Sequence, residues 1–260
     1  MKDAEAVVVR QHLEQLREFC CRRVGHDVAA FGGAGDAAWH SAYGVERGVD
    51  ALLSPTHLVL FAGLILILTA PVRAILAAAT SAPYRWIVVG SVTSAAALVG
   101  FFLNFAWGLG VAVLIRVPYN PVSEVGETEV IAGVASMLVT TVVLFGAARV
   151  VLSVGSPPTL AFTVLFGAVA LLVSVAFDED AEGVVAAVAA GAIFDVLQRR
   201  VERKGNLPSD LAAVFGVVSA GLWLVYLGLL SALDGIEWRA EIWLGAVVLN
   251  GLAAYAVASM

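Results

Sequence analysis

From about position 57 onward, apolar residues run in long blocks, and polar residues fall between the blocks rather than alternating through them. A membrane-crossing helix needs roughly 20 mostly apolar residues. Blocks of that kind cover 57–78, 86–107, 130–152, 157–177, 183–197, 211–233 and 242–259. The pattern predicts an all-α fold, a polytopic transmembrane helix bundle of about seven spans. The block 183–197 is short and contains Asp195, so six is the count if it lies on the membrane surface. Residues 1–55 carry no such block and form a polar amino-terminal segment, leaving 56–260 as the bundle.

Composition agrees. The 260 residues are 60% apolar and 14% charged, with a mean hydropathy of +0.92. Soluble domains carry about 25% charged and 45–50% apolar residues. A core of this size cannot hide the excess, which excludes a soluble enzyme, and disorder needs the opposite composition. The bilayer is therefore the expected partner and the cell membrane the expected location, with homo- or hetero-oligomers left open. The net charge of −6 and the lack of a Lys/Arg stripe argue against nucleic acid. Cys20 and Cys21 are adjacent and alone, so no disulfide framework or thiolate metal site is available.

Loop charge orients the bundle. Seven of the nine basic residues after position 55 fall on one side: Arg73, Arg85, Arg149, Arg199, Arg200, Arg203 and Lys204. That side is cytoplasmic by the positive-inside rule, which places His57 outside. The amino end conflicts with this. Residues 1–23 hold five basic residues and no apolar h-region of a signal peptide, so they belong inside. Only 24–45 lies between, and His26, Asp27, Asp36 and His40 make it a poor span. Either it crosses in a shielded form or a true first span is missing.

The chemistry concentrates between residues 36 and 57. Asp36 and His40 are four apart and share a helix face. Gly44 can end that helix and let Glu46 swing back toward it. Ser54 reads as an N-cap, Pro55 as the first helical residue, and His57 as part of the first turn of the first span. Two imidazoles and one or two carboxylates at a membrane boundary make a candidate metal site of Asp36, His40, Glu46 and His57. Such donors suit a transition metal, copper or zinc first. The positive end of the helix dipole repels a cation, which calls for carboxylates here. The bland alternative is a pair of interfacial histidines hydrogen-bonded to their neighbours. No residue stands out as catalytic.

The run Asp36-x-x-Trp39-His40, followed by Ser54-Pro55-Thr56-His57 opening an apolar helix, resembles the C subunit of particulate methane and ammonia monooxygenases. It is also similar to uncharacterised multi-pass proteins of actinobacteria that carry a glutamate about where Glu46 stands. In the monooxygenase subunit, the matching Asp and two His residues bind copper, so the resemblance implies a copper site on Asp36, His40 and His57. It covers a short segment only. The two histidines are about one helical turn further apart here, the span preceding the motif is missing or degraded, and no histidine follows His57. Asn104 alone cannot supply a second metal site, and the resemblance does not carry over methane or ammonia oxidation.

Two rivals remain: a transporter for a small solute or ion, and a non-catalytic assembly subunit of a membrane complex. Thr140, Thr141 and Asn250 fall inside spans, where hydroxyls and amides mostly serve as interhelical hydrogen-bond glue. Asp195 stands four residues before Arg199, a spacing that predicts a helix-end ion pair.

Overall fold

A computed structural model of the chain describes residues 2–45, 48–78, 85–110, 112–120, 125–205, 208–233 and 235–260. Among them every regular element is helical, and the one β contact is an isolated bridge between Asn120 and Val125. The chain divides into two compact units, Met1–Leu98 and Val99–Met260.

The first unit contains α1 (Lys2–Tyr43), α2 (Val49–Leu53), α3 (Pro55–Leu68), α4 (Ala70–Ala78) and most of α5 (Arg85–Phe102). On α1, Gly25, Ala29, Gly32, Asp36 and His40 recur at intervals of three or four residues and so share one face. That face lies along α3. A Cβ on Gly63 would sit 2.5 Å from the Ala29 backbone nitrogen, and one on Gly32 would sit 2.8 Å from that of Leu60. Backbones this close tolerate only glycine at those points, the small-residue packing of helices in lipid. Gly25 faces Leu66 and Ile67, while Gly35 faces Thr56. Rising numbers on α1 meet falling numbers on α3, so the pair is antiparallel.

A bend of 40° separates α3 from α4 at Thr69. Pro71 explains it, since its nitrogen cannot donate within the helix and its ring crowds the preceding turn. Arg73 repairs the break by donating from Nη2 to the Leu66 carbonyl at 2.6 Å and from Nη1 to the Thr69 hydroxyl. The Ser91 hydroxyl on α5 donates to the Leu68 carbonyl.

The second unit starts with two 3-10 turns, Asn104–Ala106 and Gly108–Gly110, so the apolar block ending at 107 is not helical to its end. Asn104 therefore lies in a turn rather than in a span. Then come α6 (Ala112–Ile115), α7 (Glu127–Ser153), α8 (Ala161–Phe177), α9 (Ala181–Lys204), α10 (Pro208–Leu233) and α11 (Ala240–Ser259). The core is aromatic: Phe145, Phe162, Phe166, Phe194 and Phe215 are fully buried. The Phe162 and Phe194 rings stack at 4.3 Å, and Phe215 meets Phe194 edge-on at 4.9 Å.

The buried polar groups of α7, α10 and α11 form the expected glue. Trp223 Nε1 donates to Thr141 Oγ1 at 2.8 Å, and that hydroxyl donates to Asn250 Oδ1 at 2.6 Å. Asn250 Nδ2 donates in turn to the Ala246 carbonyl. Asp195 departs from expectation. Among the described residues it makes no ion pair with Arg199; it caps the start of α8, accepting from the Thr163 N–H (2.9 Å), the Thr163 hydroxyl (2.7 Å) and, more weakly, the Phe162 N–H (3.3 Å). Leu160, at the N-cap position in a left-handed conformation, offers no side-chain acceptor, so α9 supplies one across the interface.

Among the described residues, five helices are long and apolar enough to cross a membrane: α5, α7, α9, α10 and α11. The bent pair α3–α4 makes six if it counts as one span, and α8, at 17 residues, is shorter. The fifth block gains length from structure, because its helix runs on to Lys204. These are the helices of a multi-pass membrane protein.

Candidate metal centre

The antiparallel pairing of α1 with α3 brings the two halves of the motif together. Asp36 and His40 sit one turn apart near the end of α1. The helix stops at Tyr43, where Gly44 adopts φ +86° and its N–H bonds to the His40 carbonyl at 2.9 Å. This left-handed glycine is the predicted break. On α3, Ser54 is the N-cap and Pro55 holds the first helical position, as expected. That fixes His57 in the first turn, opposite Asp36.

One candidate ligating atom each from Asp36, His40 and His57 all lie within 4.8 Å of one another, the only such group among the described residues. His40 Nε2 is 3.3 Å from Asp36 Oδ2, and His57 Nε2 is 3.3 Å from Asp36 Oδ1. The imidazole centroids are 5.7 Å apart. Two donors bound tetrahedrally at about 2.0–2.2 Å from one ion stand about 3.3–3.6 Å from each other. Each imidazole Nε2 stands at that distance from one Asp36 oxygen, His40 from Oδ2 and His57 from Oδ1. Glu46, the fourth expected ligand, lies outside the described residues.

The far side of each ring is also held. His40 Nδ1 lies 3.1 Å from the Gly44 carbonyl, which can only accept, so Nδ1 carries the proton of that contact. His57 Nδ1 lies 2.7 Å from Ser54 Oγ, which can accept or donate. Asp36 is oriented by the Thr56 hydroxyl, which donates to Oδ1 at 2.9 Å and leaves Oδ2 the freer oxygen. Metal-ligating histidines are characteristically anchored through their second nitrogen in this way. The glycine that ends α1 and the cap that begins α3 thus each hold a histidine ring as well as a helix.

The three side chains are partly buried, His40 and His57 at 25% exposure and Asp36 at 19%. A small ligand can therefore reach them. The Trp39 and Tyr43 rings, one turn apart on α1, meet at a tilt of 40° with centroids 4.5 Å apart. Sequence reasoning missed the Thr56 hydroxyl and the Gly44 carbonyl; the signal for the second was the four-residue step from His40 to Gly44. No family model, curated protein or solved structure matches the chain.

Proposed function

We propose that this chain is a cell-membrane protein that binds one transition-metal ion on Asp36, His40 and His57 at the outer membrane boundary, with Glu46 as a fourth ligand or a base beside it. The convergence of the three donors, with the second nitrogen of each ring hydrogen-bonded, carries this reading. Two imidazoles and a carboxylate suit zinc or copper. The resemblance to the copper-binding monooxygenase subunit favours copper, whereas the 3.3 Å separations equally suit tetrahedral zinc. A bound ion supplies a Lewis acid with a position open to a small ligand. Asp36 offsets the positive end of α3, and Thr56, Ser54 and the Gly44 carbonyl keep the three donors turned toward one point.

The same reading gives the amino end a course. Because α1 runs antiparallel along α3, a crossing by residues 24–43 carries the chain outward as α3 carries it inward. The polar side chains Asp36 and His40 then face α3 rather than lipid. Such a crossing would leave the basic residues of 1–23 on the inner side that the positive-inside rule assigns them, which removes the charge conflict.

The test is elemental analysis of detergent-purified protein after loading with zinc or copper, comparing wild type with His40→Ala, His57→Ala and, as a control, His26→Ala. One equivalent in wild type and the control, lost in the other two, is expected. Stoichiometric metal that survives both substitutions overturns the site.

A further inference from the structure

A second polar site lies in the second unit, at the opposite ends of its helices from the acidic turn Asp178 to Asp180. The last turns of α7 and α9, the start of α10 and the end of α11 enclose a cavity of about 410 Å³. Leu152 and Leu211 give it apolar walls; Arg149, Ser156, Gln198 and Glu202 give it polar ones. The volume lies within the roughly 300–1,000 Å³ range of small-molecule sites and far exceeds that of a single water.

One of its polar atoms is sealed without a partner. Gln198, only 3% exposed, stands in the same wall. Arg149 Nε is sealed from solvent with no acceptor. Neither Arg149 nor Glu202 forms an ion pair among the described residues, although both line the same cavity. A guanidinium stays charged at any physiological pH, so it cannot escape burial by losing its proton. Buried donors without acceptors cost about 1–3 kcal/mol each, more when charged. A cavity lined by the sealed, unpartnered Arg149 Nε and the buried Gln198 therefore points to an occupant that brings an acceptor.

We propose that this cavity binds a zwitterionic phosphate ester of the phosphoethanolamine type. The planar Arg149 fork and the Gln198 amide donate to the phosphate oxygens. Glu202, which a purely anionic ligand would leave repelled and unpaired, accepts from the ammonium group. The cavity lies at the end of α9 that carries Arg199, Arg200, Arg203 and Lys204, where the positive-inside rule places the inner membrane surface. Both a phospholipid headgroup and a free phosphoethanolamine reach that level.

Native mass spectrometry of the full chain in detergent, titrated separately with phosphatidylethanolamine, phosphatidylglycerol and free phosphoethanolamine, tests this. Arg149→Gln should weaken phosphatidylethanolamine binding by about tenfold or more, the loss of one or two charge-assisted hydrogen bonds. Glu202→Gln should keep the adduct but erase the preference for phosphatidylethanolamine over phosphatidylglycerol. The same dependence seen with free phosphoethanolamine and not with the lipids identifies a soluble ligand. Absence of every adduct, or binding unchanged by both substitutions, overturns the proposal. If Arg149→Gln does not fold, a headgroup preference that survives in Glu202→Gln overturns it alone.

Discussion

Replacing Gly63 by alanine tests whether helix packing sets the metal geometry. The new Cβ would lie 2.5 Å from the Ala29 nitrogen and 2.8 Å from its Cα. That is about 0.9 Å short of the 3.4 Å at which ordinary van der Waals contact begins. The obstacle is backbone, so no side chain can swing aside and α1 must part from α3. Asp36 and His40 then move away from His57, now 3.3 Å from the Asp36 carboxylate. Metal–ligand bonds tolerate shifts of only about 0.2 Å, so affinity should fall at least about tenfold with all three ligands still present. Competition titration with a chromophoric chelator measures this in detergent. A graded series strengthens it: Gly32→Ala (2.8 Å from Leu60) should weaken binding less, and Gly35→Ala (3.4 Å from Thr56) hardly at all. Gly146→Ala on α7 meets nothing within 4 Å and serves as the control. Equal affinity across the series would refute the claim that the α1–α3 contact positions the site.

Three further outcomes follow from the fold. Asp195→Ala strips three acceptor contacts from the start of α8 and should cost about 2–4 kcal/mol, Asp195→Asn less, read as a drop in Tm that leaves metal stoichiometry unchanged; equal Tm values would show that α8 needs no cap. Glu179, in the turn before α9, has its carboxyl pushed upward by burial first and then by Asp180 and Asp178. Its charged form is therefore disfavoured in the folded state, and stability falls as pH rises from the ordinary carboxylate value of about 4.3 through the raised one. Glu179→Gln should raise Tm at neutral pH and lose that advantage below about pH 4, whereas an advantage constant with pH would contradict the assignment. Cys20 and Cys21, the only cysteines, should resist a membrane-impermeant maleimide in intact cells and react after permeabilisation; labelling from outside would refute an inward amino end.

The apolar blocks made the helical membrane architecture legible, and the Ser54-Pro55 and Gly44 signals located the helix ends that hold the histidines. The contact of α1 with α3 was harder to read, because His26, Asp27, Asp36 and His40 break up the apolar run of the segment. Hydropathy averages around the helix, whereas Gly25, Ala29, Gly32, Asp36 and His40 lie on one face of it. Read as a stripe, those positions describe a small-residue interface that ends in Asp36 and His40, two of the three candidate ligands. Asp195 was misread for a related reason. Its four-residue step to Arg199 is a local cue, but Gly191, one turn earlier on α9, would place a Cβ 2.7 Å from Thr163 Cα. That close approach delivers the carboxylate to the bare N–H groups of α8, a long-range contact that spacing does not reveal. Arg149 and Gln198 are separated by 49 positions and meet only through the bundle.

X-ray absorption at the metal edge of the zinc- or copper-loaded protein tests the central claim most directly. Two imidazole nitrogens and one carboxylate oxygen at about 2.0–2.2 Å are expected, with one imidazole lost in His57→Ala. A shell without imidazole, or one unchanged by that substitution, would contradict a metal site on Asp36, His40 and His57.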